Sequence, residues 1–509
     1  MTDGVSALKQ LGKMAPPKTD LSLAYVGCSK LASQLSLDAD LRPLTQSSQA
    51  AIKPVDFSLI IPPTEAEITA EPQKAQEFQA LCRALLQIPR QTRGAVVFWH
   101  YHDCSEQLHQ ALNLSAISAA CDLLFSTQAK GYLALAQGNK AIAPLPFAIQ
   151  PRHHHPYRPL LKGAAAQSQS AEAILVVSPP SDAKSHQTIL QAAASGVLPV
   201  LIGSSSSETF VQSGTPDFKK QLDQSPIERR ILAHRAWRDV FQNHSFSCRL
   251  ETIARALGLS VDLALYPKVS VVIPTFRLSF VERCLENFAQ QTYPEKELVL
   301  VLHTDEDISF IHEMIKNRLQ SASDEIKVYA LPKYKSVGSC INLGIDLSEG
   351  DYVLKMDDDD YYSPSYLMDM MLPLKAIDAD VFGKPPFFFY SEADDKTYVR
   401  NEGLAMENTV ATSQDLGLGR ARITGASHSG KLSVLRSVRF SETALGAADT
   451  ALYERCADHR LCVGIWDGFG TSACRAAQAG HHTWQASQSQ LKRSATLIGD
   501  GLCASQVGA

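Results

Sequence analysis

Four aspartates stand side by side in GDYVLKMDDDDYYSP, residues 350–364. Two carboxylates ~4 Å apart repel by ~4 kcal/mol at an effective dielectric of ~20. Such a run needs either free solvation or a cation. Hard oxygen ligands of this kind suit Mg²⁺ or Mn²⁺ carried in with substrate phosphates. Asp357 and Asp359 share a direction if the local backbone stays extended. A solvated acidic turn, a divalent-metal site and the nucleophile of a D-x-D phosphatase all fit these residues. A calcium loop of the EF-hand type does not. Counted from Asp357, the sixth position is Tyr362 instead of Gly and the twelfth is Met368 instead of Glu.

The flanking residues predict how the carboxylates are held. DYVLKM reads as a strand, and SPSYLMDMMLPL as a helix with Ser363 as N-cap and Pro364 at its first position. The aspartates then lie at the C-terminal end of a strand, where open α/β sheets bind ligands. Short apolar runs alternate with helical patterns along the whole chain. Early examples are LSLAYVGC, DFSLIIPP, GAVVFWHYH and CDLLFST, with KAQEFQALCRALLQIPR as a helix between two of them. The alternation predicts an α/β protein with parallel sheets. Pro267 marks a break, after which KVSVVIPTF opens a second alternation. The expected organisation is a loose leader over 1–18, a Rossmann-like region over 19–262, a second α/β domain over 267–485, and a flexible Ser-, Gln- and Ala-rich tail over 486–509.

Composition narrows the class. The 509 residues are 45% hydrophobic and 20% charged, with 48 Lys plus Arg against 53 Asp plus Glu. This mildly acidic balance gives no electrostatic case for nucleic acid as a partner. No apolar run is long enough to cross a bilayer, and MTDGVSALKQLGKMAPPKTD lacks the apolar centre of a signal peptide. The expectation is a cytoplasmic protein, with peripheral membrane contact left open. The eleven cysteines form no C-x-x-C pair, as for reduced cysteines buried as small apolar residues.

Taken together, KVSVVIPTF and GSCINLGIDLSEGDYVLKMDDDDYYSP resemble the nucleotide-sugar-binding half of a family 2 glycosyltransferase with the GT-A fold, a mixed, mainly parallel sheet. The resemblance implies that Pro274, Thr275, Arg277, Asn342, Asp357 and Asp358 contact the donor. It implies that Asp359, with His482 from RAAQAGHHTWQ, holds a divalent metal, Mg²⁺ or Mn²⁺. An inverting transfer needs one base for the acceptor hydroxyl. VRFSETALGAADTALYERC resembles the family's base segment and places that base at Asp449, with Arg455 following on a helix. The same Asp also suits a plain helix N-cap. TGASHSG, residues 424–430, resembles the family's acceptor-side segment. Two positions depart from the pattern: Ala448 replaces the Glu that precedes the base, and Leu302 and His303 stand where an Asp would contact the nucleotide base. Asp305, Lys333 and Lys335 lie nearby.

The first half resembles a spore-coat-type module with the GT-B fold. TILQAAASGVLPVLI is similar to its donor-site helix, but Gln191 replaces the donor-binding Glu. That implies a degenerate module. HYHD at 100–103 and HHH at 153–155 read as strand-end and loop histidines, since nothing fixes a metal geometry among them. The function these features imply is transfer of a sugar from a nucleoside-diphosphate donor to a glycan or lipid-linked acceptor, in bacterial polysaccharide or glycoconjugate synthesis. A non-catalytic carbohydrate-binding scaffold and a phosphoryl-transfer enzyme are the alternatives.

Overall fold

The computed structural model describes residues 21–508 except 45–53, 103–104, 128–141, 146, 153, 160–173, 178–182, 202–224, 260–265, 320–324, 402–405, 412–414, 416–422, 444–447, 478–489 and 491. The first half contributes strands β1 (Ser22–Gly27), β2 (Asp40–Pro43), β3 (Phe57–Ile61), β4 (Ala95–His100), β5 (Leu123–Ser126), β6 (Ile142–Pro144), β7 (Arg158–Pro159), β8 (Ile174–Val177) and β9 (Leu198–Leu201). The first six form one sheet in the order β2-β1-β3-β4-β5-β6, with every pairing parallel. β8 and β9 pair in parallel as a separate ribbon, joined through the helix Ala183–Ala194. Central strands such as FSLII are buried at every position. This is the unbroken apolar pattern of a parallel sheet covered on both faces.

The second half supplies β10 (Val269–Thr275), β11 (Lys296–His303), β12 (Glu325–Leu331), β13 (Tyr352–Lys355), β14 (Tyr361–Tyr362), β15 (Val381–Gly383), β16 (Phe388–Ser391), β17 (Lys396–Arg400), β18 (Thr409–Ala411), β19 (Ser429–Lys431), β20 (Val463–Ile465), β21 (Thr471–Arg475) and β22 (Ala495–Asp500). Its main sheet runs β12-β11-β10-β13-β19-β15-β20-β18-β7. β12, β11, β10 and β13 are mutually parallel, and β19 enters antiparallel on both sides. A second sheet runs β14-β21-β16-β17-β22. Val271, Ile273, Leu298, Leu300 and Leu354 face one large core, and Val272, Val299, Val301 and Val353 face another. Side chains alternate across the sheet as the period of two requires.

The two halves share elements. β7, from the first half, pairs with β18 and closes the edge of the second half's sheet. The long helical stretch after residue 225 is two helices. Pro226–Asn243 begins with a capping box, in which Ser225 accepts from the Glu228 amide and Glu228 accepts from the Ser225 amide. Phe246–Ala256 restarts at Ser245, whose hydroxyl accepts from the Cys248 amide. The first of these, the connector helix, packs on the second half. Arg238 and His234 converge on the fully buried Asp369, Arg230 pairs with Glu407, and Lys375 donates to the Phe241 carbonyl at 2.9 Å.

The C-terminal stretch differs from expectation. Residues 495–508 are built into the fold: β22 pairs antiparallel with β17, and Val507 is fully buried and accepts from the Gly470 amide at 2.7 Å. Ser- and Ala-rich composition hid the short β-compatible run ATLIGD, which satisfies its backbone on an open sheet edge. Among the described residues no helix is long and apolar enough to cross a membrane. The leader over 1–18 lies outside the described residues.

Candidate functional site

β13 is parallel to β10 and ends at Lys355, which brings the aspartates beside Thr275 at the end of β10. The chain then returns at once as β14, antiparallel to β21. The backbone therefore bends through 357–360, and the four carboxylates divide. Asp357, Asp359 and Asp360 each offer an oxygen, and these oxygens lie within 4.8 Å of one another. Asp358 turns away to Thr275 and Arg277. It accepts from the Thr275 hydroxyl and from Arg277 Nε at 3.0 Å, and pairs with Arg277 Nη2. The same guanidinium reaches Asp359 at 2.9 Å, and it lies 4.9 and 4.6 Å from the ring centroids of Phe276 and Phe280. Burial works against its charge, but the hydrogen bond and charge of Asp358 and the charge of Asp359 hold its pKa above the ordinary value.

The remaining carboxylates are held by the frame around them. Asp360 is buried and accepts from the Cys474 amide at 3.0 Å. Burial, followed by the charges of Asp357 and Asp359, pushes its carboxyl up to about 8. Asp357 pairs with Lys355, and its amide donates to the Tyr362 hydroxyl at 2.6 Å. Arg277 thus pairs with Asp358 and Asp359 and Lys355 with Asp357, while the crowding of carboxylates that, after burial, raises Asp360 is what a divalent ion would relieve. Three clustered hard oxygen donors fit Mg²⁺ or Mn²⁺. The only other group of three potential metal ligands among the described residues is Glu297, Glu325 and Glu349, at the opposite end of the same strands. There Lys268 and Lys327 reach all three carboxylates, so each already has two ammonium partners. His100, His102 and His155 join no such group, and burial brings the first two down to about 4.

The other expected residues fall in different places. Pro274 and Thr275 close β10 beside the acidic turn. Asn342 is 2% exposed, and both ends of its amide are engaged: it donates to the Phe440 carbonyl and to Glu442, and accepts from the Phe440 amide, each at 2.9 Å. It braces the segment leading to the helix Ala448–Asp458. Ser363 does not cap the helix after the acidic turn. That helix begins at Tyr366, and the Ser363 amide donates to the Gly470 carbonyl at 2.8 Å. Leu302 is fully buried in the core, Asp305 accepts from the Lys333 amide at 3.2 Å, and Lys333 pairs with Glu306.

Asp449 stands in the first turn of Ala448–Asp458, inside the helix and not at its cap; its side chain, like His481 and His482, lies outside the described residues. The helix is anchored by Tyr453, which exchanges hydrogen bonds with the backbone of Ile423, and by Arg455, which donates to the Val438 and Arg439 carbonyls. TGASHSG forms a 3₁₀ turn, Gly425–Ser427, and then β19. A Cβ on Gly430 would come 2.7 Å from the Asp380 carbonyl oxygen, so glycine is required there. Sequence reasoning missed Lys355, Tyr362 and the grouping of Asp360. Only the fold brings their partners together, from 425, 426 and 474.

Residues 270–412 match the family model described as Glycosyl transferase family 2. Over 183 residues the chain is 27% identical to the GalNAc(5)-diNAcBac-PP-undecaprenol beta-1,3-glucosyltransferase of Campylobacter jejuni, covering 35% of this chain and 57% of that protein. Over 132 residues it is 25% identical to the glycosyltransferase GlyG of Streptococcus pneumoniae, covering 26% and 42%. The chain spans about half the length of the curated relatives it matches. Among solved structures, it is similar to S. aureus TarS 1–349 in complex with UDP-GlcNAc (TM-score 0.33, 18% identity, 43% of this chain and 61% of that one). It is also similar to the mannosyltransferase PcManGT of Pyrobaculum calidifontis in complex with GDP-Man and Mn²⁺ (TM-score 0.31, 17% identity, 42% and 58%). The family match and the mixed, mainly parallel sheet agree with the GT-A architecture expected from the motifs, and residues 270–412 are a glycosyl transferase family 2 domain carried on a longer α/β chain.

Proposed function

We propose that this chain is a metal-dependent, inverting glycosyltransferase that uses a nucleoside-diphosphate sugar. The observation that carries the reading is the gathering of Asp357, Asp359 and Asp360 oxygens within 4.8 Å at the end of β13, beside Thr275 and Arg277. Those three carboxylates would hold Mg²⁺ or Mn²⁺, which when bound neutralises charge on a diphosphate leaving group. Asp358 keeps Arg277 fixed at the rim, where its guanidinium and the Pro274–Thr275 backbone face the donor. Asp449 takes the proton of the acceptor hydroxyl. The hydroxyl oxygen bonds to the anomeric carbon as the bond from that carbon to the diphosphate oxygen breaks, from the opposite face, and the nucleoside diphosphate departs. By resemblance alone, His482 completes the metal site.

The acceptor class is a glycan or lipid-linked glycan, in keeping with the undecaprenyl-diphosphate-linked glycan named in the Campylobacter relative. The protein is cytoplasmic in this reading, with its acceptor presented at the membrane surface. Thermal-shift measurements with a panel of nucleotide sugars, with and without Mn²⁺, test it. A shift that needs both metal and a diphosphate, and that vanishes in Asp359→Ala, is the expected result. Equal shifts in excess chelator would sink the proposal.

A further inference from the structure

Lys355 carries a charge inside the acidic turn. It is the last residue of β13 and 6% exposed, and its ammonium pairs with Asp357 while donating to the Gly425 carbonyl at 2.6 Å. Asp357 is also one of the three carboxylates whose oxygens gather within 4.8 Å. An ammonium and a divalent ion on one carboxylate repel each other at close range, which disfavours both sitting on Asp357 at once.

The Gly425 end of this contact reaches toward the helix that bears Asp449. The Tyr362 hydroxyl accepts from the Asp357 amide and donates to the Ala426 carbonyl at 2.9 Å. The Gly425–Ser427 turn therefore hangs on the acidic turn by two contacts: a neutral one through Tyr362, and a charged one through Lys355. At its other side the turn follows Ile423, whose backbone is held by Tyr453 from Ala448–Asp458. A change at Asp357 thus has a short bonded route to the base-bearing helix.

We propose that Lys355 is a resident counter-ion that leaves Asp357 when a divalent cation enters the acidic turn, and that its displacement resets the Gly425–Ser427 turn. Lys355 is then a positioning residue that couples metal loading to the acceptor side. The inference rests on the reading that this turn holds a metal.

The test titrates Mn²⁺ into the full chain, with free Mn²⁺ followed by electron paramagnetic resonance, and follows hydrogen exchange of a peptide spanning 423–431. Lys355→Met should bind Mn²⁺ about tenfold tighter than wild type, because a like charge has been removed from the site. Lys355→Arg keeps the charge and should stay within about twofold. Mn²⁺ should alter exchange over 423–431 in wild type and in Lys355→Arg, but not in Lys355→Met. Should Lys355→Met fail to fold, Lys355→Gln, which keeps a donor for Gly425 without the charge, carries the same expectations. Equal or weaker Mn²⁺ affinity in the uncharged variant overturns the inference while the metal reading stands. A wild-type chain that binds no Mn²⁺ overturns both.

Discussion

Two acidic clusters occupy opposite ends of the same strands. Glu297, Glu325 and Glu349 gather where β11, β12 and β13 begin; Asp357, Asp359 and Asp360 gather where β13 ends. Each brings three carboxylate oxygens within the same 4.8 Å, yet their surroundings oppose each other. The first group is interleaved with two lysines, and the buried Glu297 also accepts from the Glu349 amide at 2.7 Å and Lys327 at 3.0 Å. In the second, Lys355 pairs with Asp357 and Arg277 with Asp358 and Asp359, while Asp360 accepts from the Cys474 amide. Clustered carboxylates are therefore no sign of a metal in themselves. What separates a structural network from a site is how completely cations already serve every carboxylate: Lys268 and Lys327 each reach all three glutamates.

The largest effects should divide along that line. Asp359→Ala should weaken Mn²⁺ binding by more than about a hundredfold, since one of three anionic ligands is lost. It should leave urea stability nearly unchanged without metal, because the repulsion it relieves offsets the Arg277 contact it removes. Glu297→Ala should do the reverse, lowering stability by about 3 kcal/mol by stranding buried partners, with Mn²⁺ affinity intact. Equal destabilisation by both variants, read from urea midpoints, would erase the distinction.

A comparable loss, without any change in Mn²⁺ affinity, is expected at the seam between the halves. Asp369 is fully buried and receives Arg238 at 2.6 Å through two nitrogens, and His234 at 3.1 Å. Burial disfavours its charge, but Arg238 and then His234 hold the carboxyl well below the usual range. Asp369→Ala should cost about 3 kcal/mol. Combined with Arg238→Ala, it should cost much less than the sum of the two single changes, as members of one network do.

How much of this was legible beforehand depends on the range over which each feature is encoded. β10, β13 and the acidic turn were readable because strand periodicity, a terminal Pro-Thr and a run of aspartates are all local. The family resemblance supplied the pairing of Thr275 with the acidic turn, which lies 82 residues or more downstream. Extended alternation already grouped Asp357 with Asp359 and turned Asp358 away. What was not legible is Asp360, which the return into β14 brings into the group. Asn342 fitted a motif, but the fold commits its amide to Phe440, a residue 98 positions away. The C-terminal strand was misread because composition outweighed a six-residue β run. The role of Asp449 remains where the motif put it, as a proposal.

Acid should reveal the glutamate network next. Burial raises the Glu297 pKa, but the Ser270 hydroxyl, the Glu349 amide and Lys327 outweigh it and bring the group down to about 2, below its ordinary 4.5. A depressed carboxyl stabilises the fold above its unfolded pKa and loses that contribution as pH falls through the folded value. The contribution is therefore whole above about pH 4.5 and fades toward about pH 2. Urea midpoints measured from pH 5 down to pH 3 should fall more steeply in wild type than in Glu297→Gln. Parallel slopes would mean that the carboxylate is not what holds these strand starts together.

The smallest effect sharpens the comparison within one cluster. Glu325 pairs with Lys268 at 2.8 Å, a shorter distance than the 3.3 Å from that lysine to Glu297. Distance alone would make Glu325 the stronger partner. Its side chain, however, is 45% exposed, against 0% for Glu297, so water already solvates it and salt screens it. Glu325→Gln should cost no more than about 0.5 kcal/mol, the scale of an exposed pair, and the loss should vanish in 1 M NaCl. The cost of Glu297→Ala should persist there, because a buried pair is screened far less. If Glu325→Gln proved as damaging as Glu297→Ala, contact distance and not desolvation would govern the network. The contrast between the lysine-laced cluster and the acidic turn would then lose its physical basis.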